Sequence, residues 1–428
     1  MQSTTLSKPW NGAAKIIFRF LFIYILLYTF PFPFSIFSFF IDYNFSILWN
    51  PVIVWVGNNI LKLEYEITVL PNGSGDTTWN YVQVFMFSIF SFIGTIVWSF
   101  AEGKRLQYDR LFFWLSVLVR YYVAVILIHY GFAKIIKTQF PFPFMDRLFQ
   151  SYGESSPMGL LWTFMGYSTA YNFFTGTCEA LAGFLLFFRR TKLLGALLSI
   201  AVMSNIVMLN FSYDVPVKLF SMHLLFMSFF LPIADWQRLL NFFIFNKTAP
   251  PILIEPVFKE KEMRLAYHVG KIAFIVFVLG SNVIFGLRNQ QQLTGGKGDS
   301  TFNGIYEVET HVINQDTIPP LLNDTKRWKR LFVNFNDMIR NDMISVEYMD
   351  NAKIYWRFVP DTLQRTMKIM SLDSGTVYHF RYKKDKDRYF LRGTLYSDSI
   401  KITMKKTSSD FALTSRGFHW INEYPFNR

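Results

Sequence analysis

Four ionisable side chains standing in long apolar stretches are the residues from which chemistry would be read. Arg120, His129 and Lys134 fall in one run, 111–136, and Glu179 falls in another, 161–188. Charges in hydrocarbon are costly, so they face a bundle interior and mark proton relays, ion paths or ligand counter-charges. At 1.5 Å per residue, Arg120 and Lys134 lie about 21 Å apart along a helix, too far for one site. Glu179 sits at a depth that matches Arg120, and an Arg120–Glu179 ion pair between adjacent antiparallel helices is expected. Such a pair serves either as a register device or as a proton or anion site.

A second set, His129, Lys134, Asp214, Lys218 and His223, gathers toward the outer half of three apolar runs, 111–136, 193–211 and 219–232. A desolvated Lys beside a His can act as a base, because burial lowers the lysine pKa. Snorkelling of Lys134 and Lys218 to the interface is the plainer account. Two His without an acidic helper make a poor zinc or haem site, so no metal is assigned. Tyr121, Tyr122, Tyr130, Tyr167 and Tyr171 belong to the same bundle as packing residues. Gly176, Ala180, Ala182 and Gly183 allow close helix approach, and Cys178 packs among them. With one cysteine in the chain, an intrachain disulfide and a CxxC redox pair are excluded.

The elements that position these residues follow from composition. The chain is 51% hydrophobic and 19% aromatic, with 49 Phe and only 17% charged residues, below the roughly 25% of soluble domains. The formal charge of +13 reflects basic membrane loops; no Lys/Arg stripe suits nucleic acid. Seven spans are expected: Ile16–Phe30, Trp79–Ala101, Leu111–Ile136, Leu161–Phe188, Leu193–Phe211, Leu219–Pro232 and Ala266–Leu287. The first lacks a small-x-small cleavage site and reads as a retained anchor. Phe45–Leu61, interrupted at Asn50-Pro51, suits an interfacial or re-entrant helix. Within the loop at 72–78, Asp76, Thr77 or Thr78 is the expected N-cap of the next span. Pro31-Phe32-Pro33-Phe34 recurs as Pro141-Phe142-Pro143-Phe144, as two aromatic helix stops or a paired lip over a lipid or quinone entrance.

Four basic sets fix the expected topology: Lys8/Lys15/Arg19, Lys104/Arg105/Arg110, Arg189/Arg190/Lys192 and Lys259/Lys261/Arg264. With seven crossings all four lie on one side, the cytoplasm, and the C-terminus lies outside. Residues 234–265 read as a charged linker containing Ala249-Pro250-Pro251, and Gln290–Ser300 as a polar one. From Gly304 onward apolar and polar residues alternate, with turn signals at Asp373-Ser374-Gly375 and Asp385-Lys386-Asp387. Strands are expected near Ile305, Ile344, Lys353, Thr376, Arg388 and Ile400, and over Phe411–Trp420, where Gly417 marks a bulge and His419 is structural. Eight or nine short strands fit a small barrel that closes its own edges. The fold class is thus an α-helical polytopic membrane bundle plus a C-terminal all-β barrel or sandwich of lipocalin-like size. Its parts are an N-terminal membrane region (1–109), a four-helix unit (110–245), a linker with the last span (246–288) and a β domain (300–428).

On Arg120, Gly131, Lys134, Gly176 to Thr191 and Leu194-Gly195, the segment at about 110–245 resembles the DoxX-like membrane proteins. The whole architecture is similar to larger DoxX-like proteins of Bacteroidota, whose C-terminal β domain ends as Arg416–Pro425 does here. The resemblance implies an inner-membrane protein, multi-pass, with a cytoplasmic N-terminus and a periplasmic β domain. It implies an association with membrane redox work, including quinone-coupled thiosulfate oxidation, in a set whose activity is largely unassigned; the cofactor is left open, with quinone as the candidate. The wider set resembles the membrane part of vitamin K-dependent carboxylases, where a lysine is the base; Lys134 or Lys218 is the nearest analogue. Two further readings stand beside it: a non-enzymatic scaffold or assembly factor whose β domain binds a partner or lipid, and a transporter.

Overall fold

The computed structural model of the chain describes residues 10–34, 48–69, 72–102, 107–249, 258, 260–294, 302–334, 343–372, 374–408 and 410–427. Lys8, Lys104, Arg105, the Pro250-Pro251 pair, Lys259, Asp373 and the linker from 295 lie outside them. The helices are α1 (Gly12–Thr29), α2 (Asn50–Trp55), α3 (Thr78–Ala101), α4 (Asp109–Ile135), α5 (Met145–Leu148), α6 (Pro157–Tyr167), α7 (Thr169–Leu186), α8 (Lys192–Ser212), α9 (Lys218–Phe230), α10 (Trp236–Leu239), α11 (Lys261–Thr294) and α12 (Ala412–Ser415). The strands are β1 (Gly304–Ile313), β2 (Asp316–Thr317), β3 (Trp328–Asn334), β4 (Met343–Tyr348), β5 (Lys353–Asp361), β6 (Thr366–Ser371), β7 (Val377–Asp385), β8 (Arg388–Leu395) and β9 (Asp398–Thr407). The chain divides into two compact units, one of residues 1–135 and 173–283, the other of 136–172 and 284–428.

The first unit is the helical bundle. Among the described residues, six helical stretches are long and apolar enough to cross a membrane: α1, α3, α4, α8, Lys218–Ile244 and Lys261–Gln291. Their outward faces are greasy: Phe92, Val97 and Phe100 on α3 all stand exposed, a surface that only hydrocarbon covers without cost. The chain is a multi-pass membrane protein. Local chemistry starts the helices where the sequence offers a cap. Asn11 accepts the Ala14 N–H at 2.7 Å, and Thr77 with Asn80 forms a capping box at α3. Asp76 does not cap α3; it accepts the Lys218 and Leu219 N–H groups at 2.8 and 2.9 Å and so caps α9.

Two segment expectations are corrected. The region expected as one charged linker, 234–265, begins as a continuation of the α9 span to Ile244. The run expected as one span, Leu161–Phe188, is two helices. Ser168 between them is extended, with φ −95° and ψ 106°, and its Oγ accepts the Tyr171 N–H. The Asn172 side chain donates to the Met165 carbonyl at 2.6 Å, so the freed backbone groups at the break are satisfied locally. At Gly166 an added Cβ would lie 2.2 Å from the Pro141 carbonyl oxygen; this glycine admits the second Pro-Phe-Pro-Phe copy.

The second unit is built on the barrel. The antiparallel order β1-β3-β4-β5-β6-β7-β8-β9 closes through β9 pairing with β1, with β2 as an extra two-residue strand on β1. A bulge at Val308/Thr310 bends β1 within that closing pair. The alternation aims Tyr306, Trp328, Trp356, Phe358, Phe380 and Tyr389 inward, where all are fully buried. The interior is therefore a packed aromatic core. Every residue of β4 is buried, which one-sided alternation does not explain. Residues of 136–172 lie against the strands on either side of it: Phe149 packs on Phe332 of β3 at 5.5 Å, and also on Phe411 at 5.1 Å. In the same strap Asp146 takes the Tyr355 hydroxyl at 3.1 Å and its carbonyl takes Lys353 Nζ at 2.9 Å. The expected strand Phe411–Trp420 is instead α12 followed by irregular chain, and Gly417 (φ +69°) lies outside any strand. His419 is exposed there.

Between β1 and β3 the barrel buries His311 beside Arg327. His311 Nδ1 accepts the Trp328 N–H at 3.1 Å, which places the ring proton on Nε2. That Nε2 is buried without a hydrogen-bond partner. Burial first, then the Arg327 charge, pushes the His311 pKa down from 6.5 to about 4, against the opposing pull of Asp324. The unfolded chain takes up this proton near pH 6.5 and the folded chain only near 4. Between those values the unfolded state binds more protons, so barrel stability is full above pH 6.5 and falls as pH drops toward 4, by at most about 1.4 kcal/mol per pH unit. Amide protection factors in β1 and β3 of the full chain, taken relative to the intrinsic exchange rate at each pH, should fall across this window. Unchanged protection from pH 7 to 4.5 would contradict the assignment.

Candidate functional site

The site is made where α4 crosses α7. Small residues let the two backbones touch: a Cβ on Gly131 would meet Ala180 N and Gly176 O at 2.7 Å, and one on Gly183 would meet Ala124 O at 2.6 Å. Neither helix can back away without losing the seam, the close-packing device that replaces the hydrophobic drive inside lipid. The contacts run Gly131 against Gly176–Ala180 and Ala124 against Gly183, so the helices are antiparallel.

This register decides which charges meet. Glu179 stands opposite the last turn of α4, eleven residues or about 16 Å from the level of Arg120. Its partner is Lys134: Nζ lies 2.8 Å from Oε1 and 2.8 Å from Oε2. Both side chains are buried, at 7% and 2% exposure. The Tyr130 ring lies 5.8 Å from Lys134 Nζ, one turn back on α4. The expected Arg120–Glu179 pair is thus replaced by Lys134–Glu179. Lys134 does not snorkel; its ammonium is held inside by a carboxylate whose charge it offsets.

The remaining candidates are placed elsewhere, each with its own partners. Arg120 is buried and packs over the Tyr121 ring at 5.2 Å. Among the described residues no carboxylate comes within ion-pair distance of it, and its Nε is buried without a hydrogen bond. His129 Nδ1 lies 2.8 Å from Asn282 Oδ1 on α11. Lys218 pairs with Asp214 at 2.7 Å and more loosely with Asp76 at 3.9 Å, at the start of α9. One turn on, His223 donates from Nδ1 to the Leu219 carbonyl at 2.7 Å, which leaves Nε2 to accept the Tyr24 hydroxyl at 2.6 Å. Its ring lies on Tyr28 at 4.0 Å, nearly parallel. The second set therefore does not converge on one base.

A polar cluster not anticipated from sequence joins α1, α3 and α4. Arg19 donates to the Tyr108 hydroxyl at 2.7 Å and to Ser99 Oγ at 2.6 Å, and its Nη2 is 3.9 Å from Glu102. Trp98 and Tyr108 also donate to Glu102. Arg19 reads in sequence as one more topogenic cation; only its place inside an apolar run signals an internal partner. Beside it an open groove of about 460 Å³ runs between α1 and α3, lined by Ile16, Phe20, Phe92 and Ile96. Its hydroxyls, Thr95 and Ser99, donate to backbone carbonyls one turn back. The groove suits a hydrocarbon chain, since its lining is almost wholly apolar.

A multi-pass helical bundle with an internal ion pair, joined to a closed antiparallel barrel, is the class these features define. Over 133 residues the chain is 32% identical to the uncharacterized protein YwoB of Bacillus subtilis (strain 168), covering 29% of this chain and 79% of YwoB. The chain belongs to the family of YwoB. No family model and no solved structure matches it.

Proposed function

We propose that the chain is a DoxX-like inner-membrane protein in which the Lys134–Glu179 pair is a proton-handling element of a quinone-associated redox function. The observation that carries the reading is the pair itself: two opposite charges buried together within membrane-spanning helices, where ionisable groups are retained for function by default. A carboxylate that can pass a proton to or from a neighbour, with the Tyr130 ring beside it, supplies the proton-transfer half of quinone reduction; the two electrons would come from a redox donor outside this chain. In this reading α7 is the seventh crossing. Its 18 residues span about 27 Å, close to the roughly 30 Å of hydrocarbon. Seven crossings put the four basic sets in the cytoplasm and the barrel in the periplasm.

Quinone extracted from protein purified out of native membranes tests the redox reading. Wild type should carry about one quinone per chain and Glu179→Gln several-fold less. A wild-type content no higher than that of an unrelated membrane protein purified alongside would remove it. A second reading, a scaffold whose β domain binds a partner, is favoured by one feature. Beyond β9, Phe418, Trp420 and Tyr424 stand 77%, 91% and 85% exposed, and aromatic side chains are enriched where proteins dock.

A further inference from the structure

Three cations converge where α4, α7 and α11 meet, away from the Lys134–Glu179 pair. Arg120 comes from α4, Arg189 from the residues just past α7, and Lys271 from α11. The charges of all three act on one another. Like charges brought together in an apolar bundle repel, and an anion lying among them would offset that repulsion. Arg120 is 95% buried by its 5% exposure, its Nε lacks a hydrogen-bond partner, and no carboxylate among the described residues pairs with it or with Lys271.

Aromatic rings frame the place. On α11, Tyr267, Lys271 and Phe274 follow at helical spacing and share a face. Phe274 meets Tyr121 at 5.6 Å and Phe187 at 6.0 Å. Lys271 Nζ stands 4.7 Å over the Phe188 ring, and Arg189 stands 5.8 Å over Phe113. Tyr121 and Tyr267 interact with each other, and Tyr121 with Arg120, so hydroxyl donors adjoin the guanidinium. Arg189 opens the basic loop Arg189-Arg190-Thr191-Lys192, which sits at a helix end, the level of lipid phosphates. A planar guanidinium offers paired N–H donors that match phosphate oxygens, and an ammonium adds a point charge.

We propose that Arg120, Arg189 and Lys271 form a binding site for one phosphate-bearing anion, at the junction of α4, α7 and α11. The phosphate belongs either to an anionic phospholipid headgroup or to a free phosphate. The site stands independently of the redox reading, since none of its three cations takes part in the Lys134–Glu179 pair.

The test uses the full chain, delipidated in a neutral detergent, with its thermal midpoint followed during titration. Three additives are compared: phosphatidylglycerol, phosphatidylcholine and inorganic phosphate. A saturable rise with phosphatidylglycerol and little with phosphatidylcholine identifies a lipid headgroup; a saturable rise with inorganic phosphate identifies the free ion. Arg120→Gln and Lys271→Gln should each weaken the apparent affinity about tenfold or more, equivalent to loss of one charge-assisted contact. Lys271 is only half-buried, so its variant keeps the test decisive should Arg120→Gln fail to fold. No saturable response in wild type, or responses unchanged in Lys271→Gln, would overturn the proposal.

Discussion

Glu179→Leu should be among the most damaging single substitutions in the bundle, costing about 3–5 kcal/mol. The leucine fills the space and adds apolar contact, so the loss is not one of packing. It comes from Lys134, which sits at 7% exposure with its two carboxylate oxygens gone. The ammonium must then either stay charged and unpaired in a low-dielectric seam or give up its proton, and both cost free energy. Lys134→Met should cost a similar amount for the mirror reason. Thermal midpoints of the purified variants in one detergent read the effect. A Glu179→Leu protein as stable as wild type would mean that the pair is solvated or absent.

Gly131→Val should cost about 3 kcal/mol and disturb the same pair indirectly. The valine Cβ would enter at 2.7 Å from two backbone atoms of α7, Ala180 N and Gly176 O. Backbone cannot swing aside as a flexible side chain does, so α4 and α7 must separate. Lys134 lies three residues beyond Gly131 on the same face and would be carried away from Glu179. By contrast, Gly270 on α11 has nothing within 4 Å of an added Cβ, and Gly270→Val there is the control that should cost far less. Equal losses at the two glycines would contradict the seam.

Part of both sites is legible in the residue types alone. Lys134, Glu179 and the small residues Gly176, Ala180 and Gly183 are visible as exceptions within apolar runs, and the small residues as a packing stripe. Their pairing is not visible. Depth counted along an unbroken Leu161–Phe188 helix brings Glu179 level with Arg120. The extended Ser168 breaks that helix, and the seam contacts set the register instead, so the carboxylate meets the lysine a few turns away. Side chains that act at long range, such as Asp76 capping α9 or Arg19 meeting Tyr108, leave no local pattern at all.

The barrel divides in the same way. Six strands announce themselves by alternation, and in β5, β7, β8 and β9 the outward residues do stand exposed. β3 does not, since Phe332 on its outer side is covered by Phe149 from the 136–172 strap and its apolar residues run together as Leu331-Phe332-Val333. β6 offers only Met367 and Ile369 to the core, too short a signal to stand out. Phe411–Trp420 has the composition of a strand but meets no free strand edge, because β1 and β9 already close the barrel.

A double-mutant cycle on the full chain tests the central contact most directly. Lys134→Met and Glu179→Leu, singly and together, should show a coupling of about 2 kcal/mol or more, with the double variant less damaged than the sum of the singles. The parallel cycle on Arg120→Gln and Glu179→Leu should be additive within about 0.5 kcal/mol. Coupling between 120 and 179, with additivity between 134 and 179, would contradict the α4–α7 register from which the whole site is built.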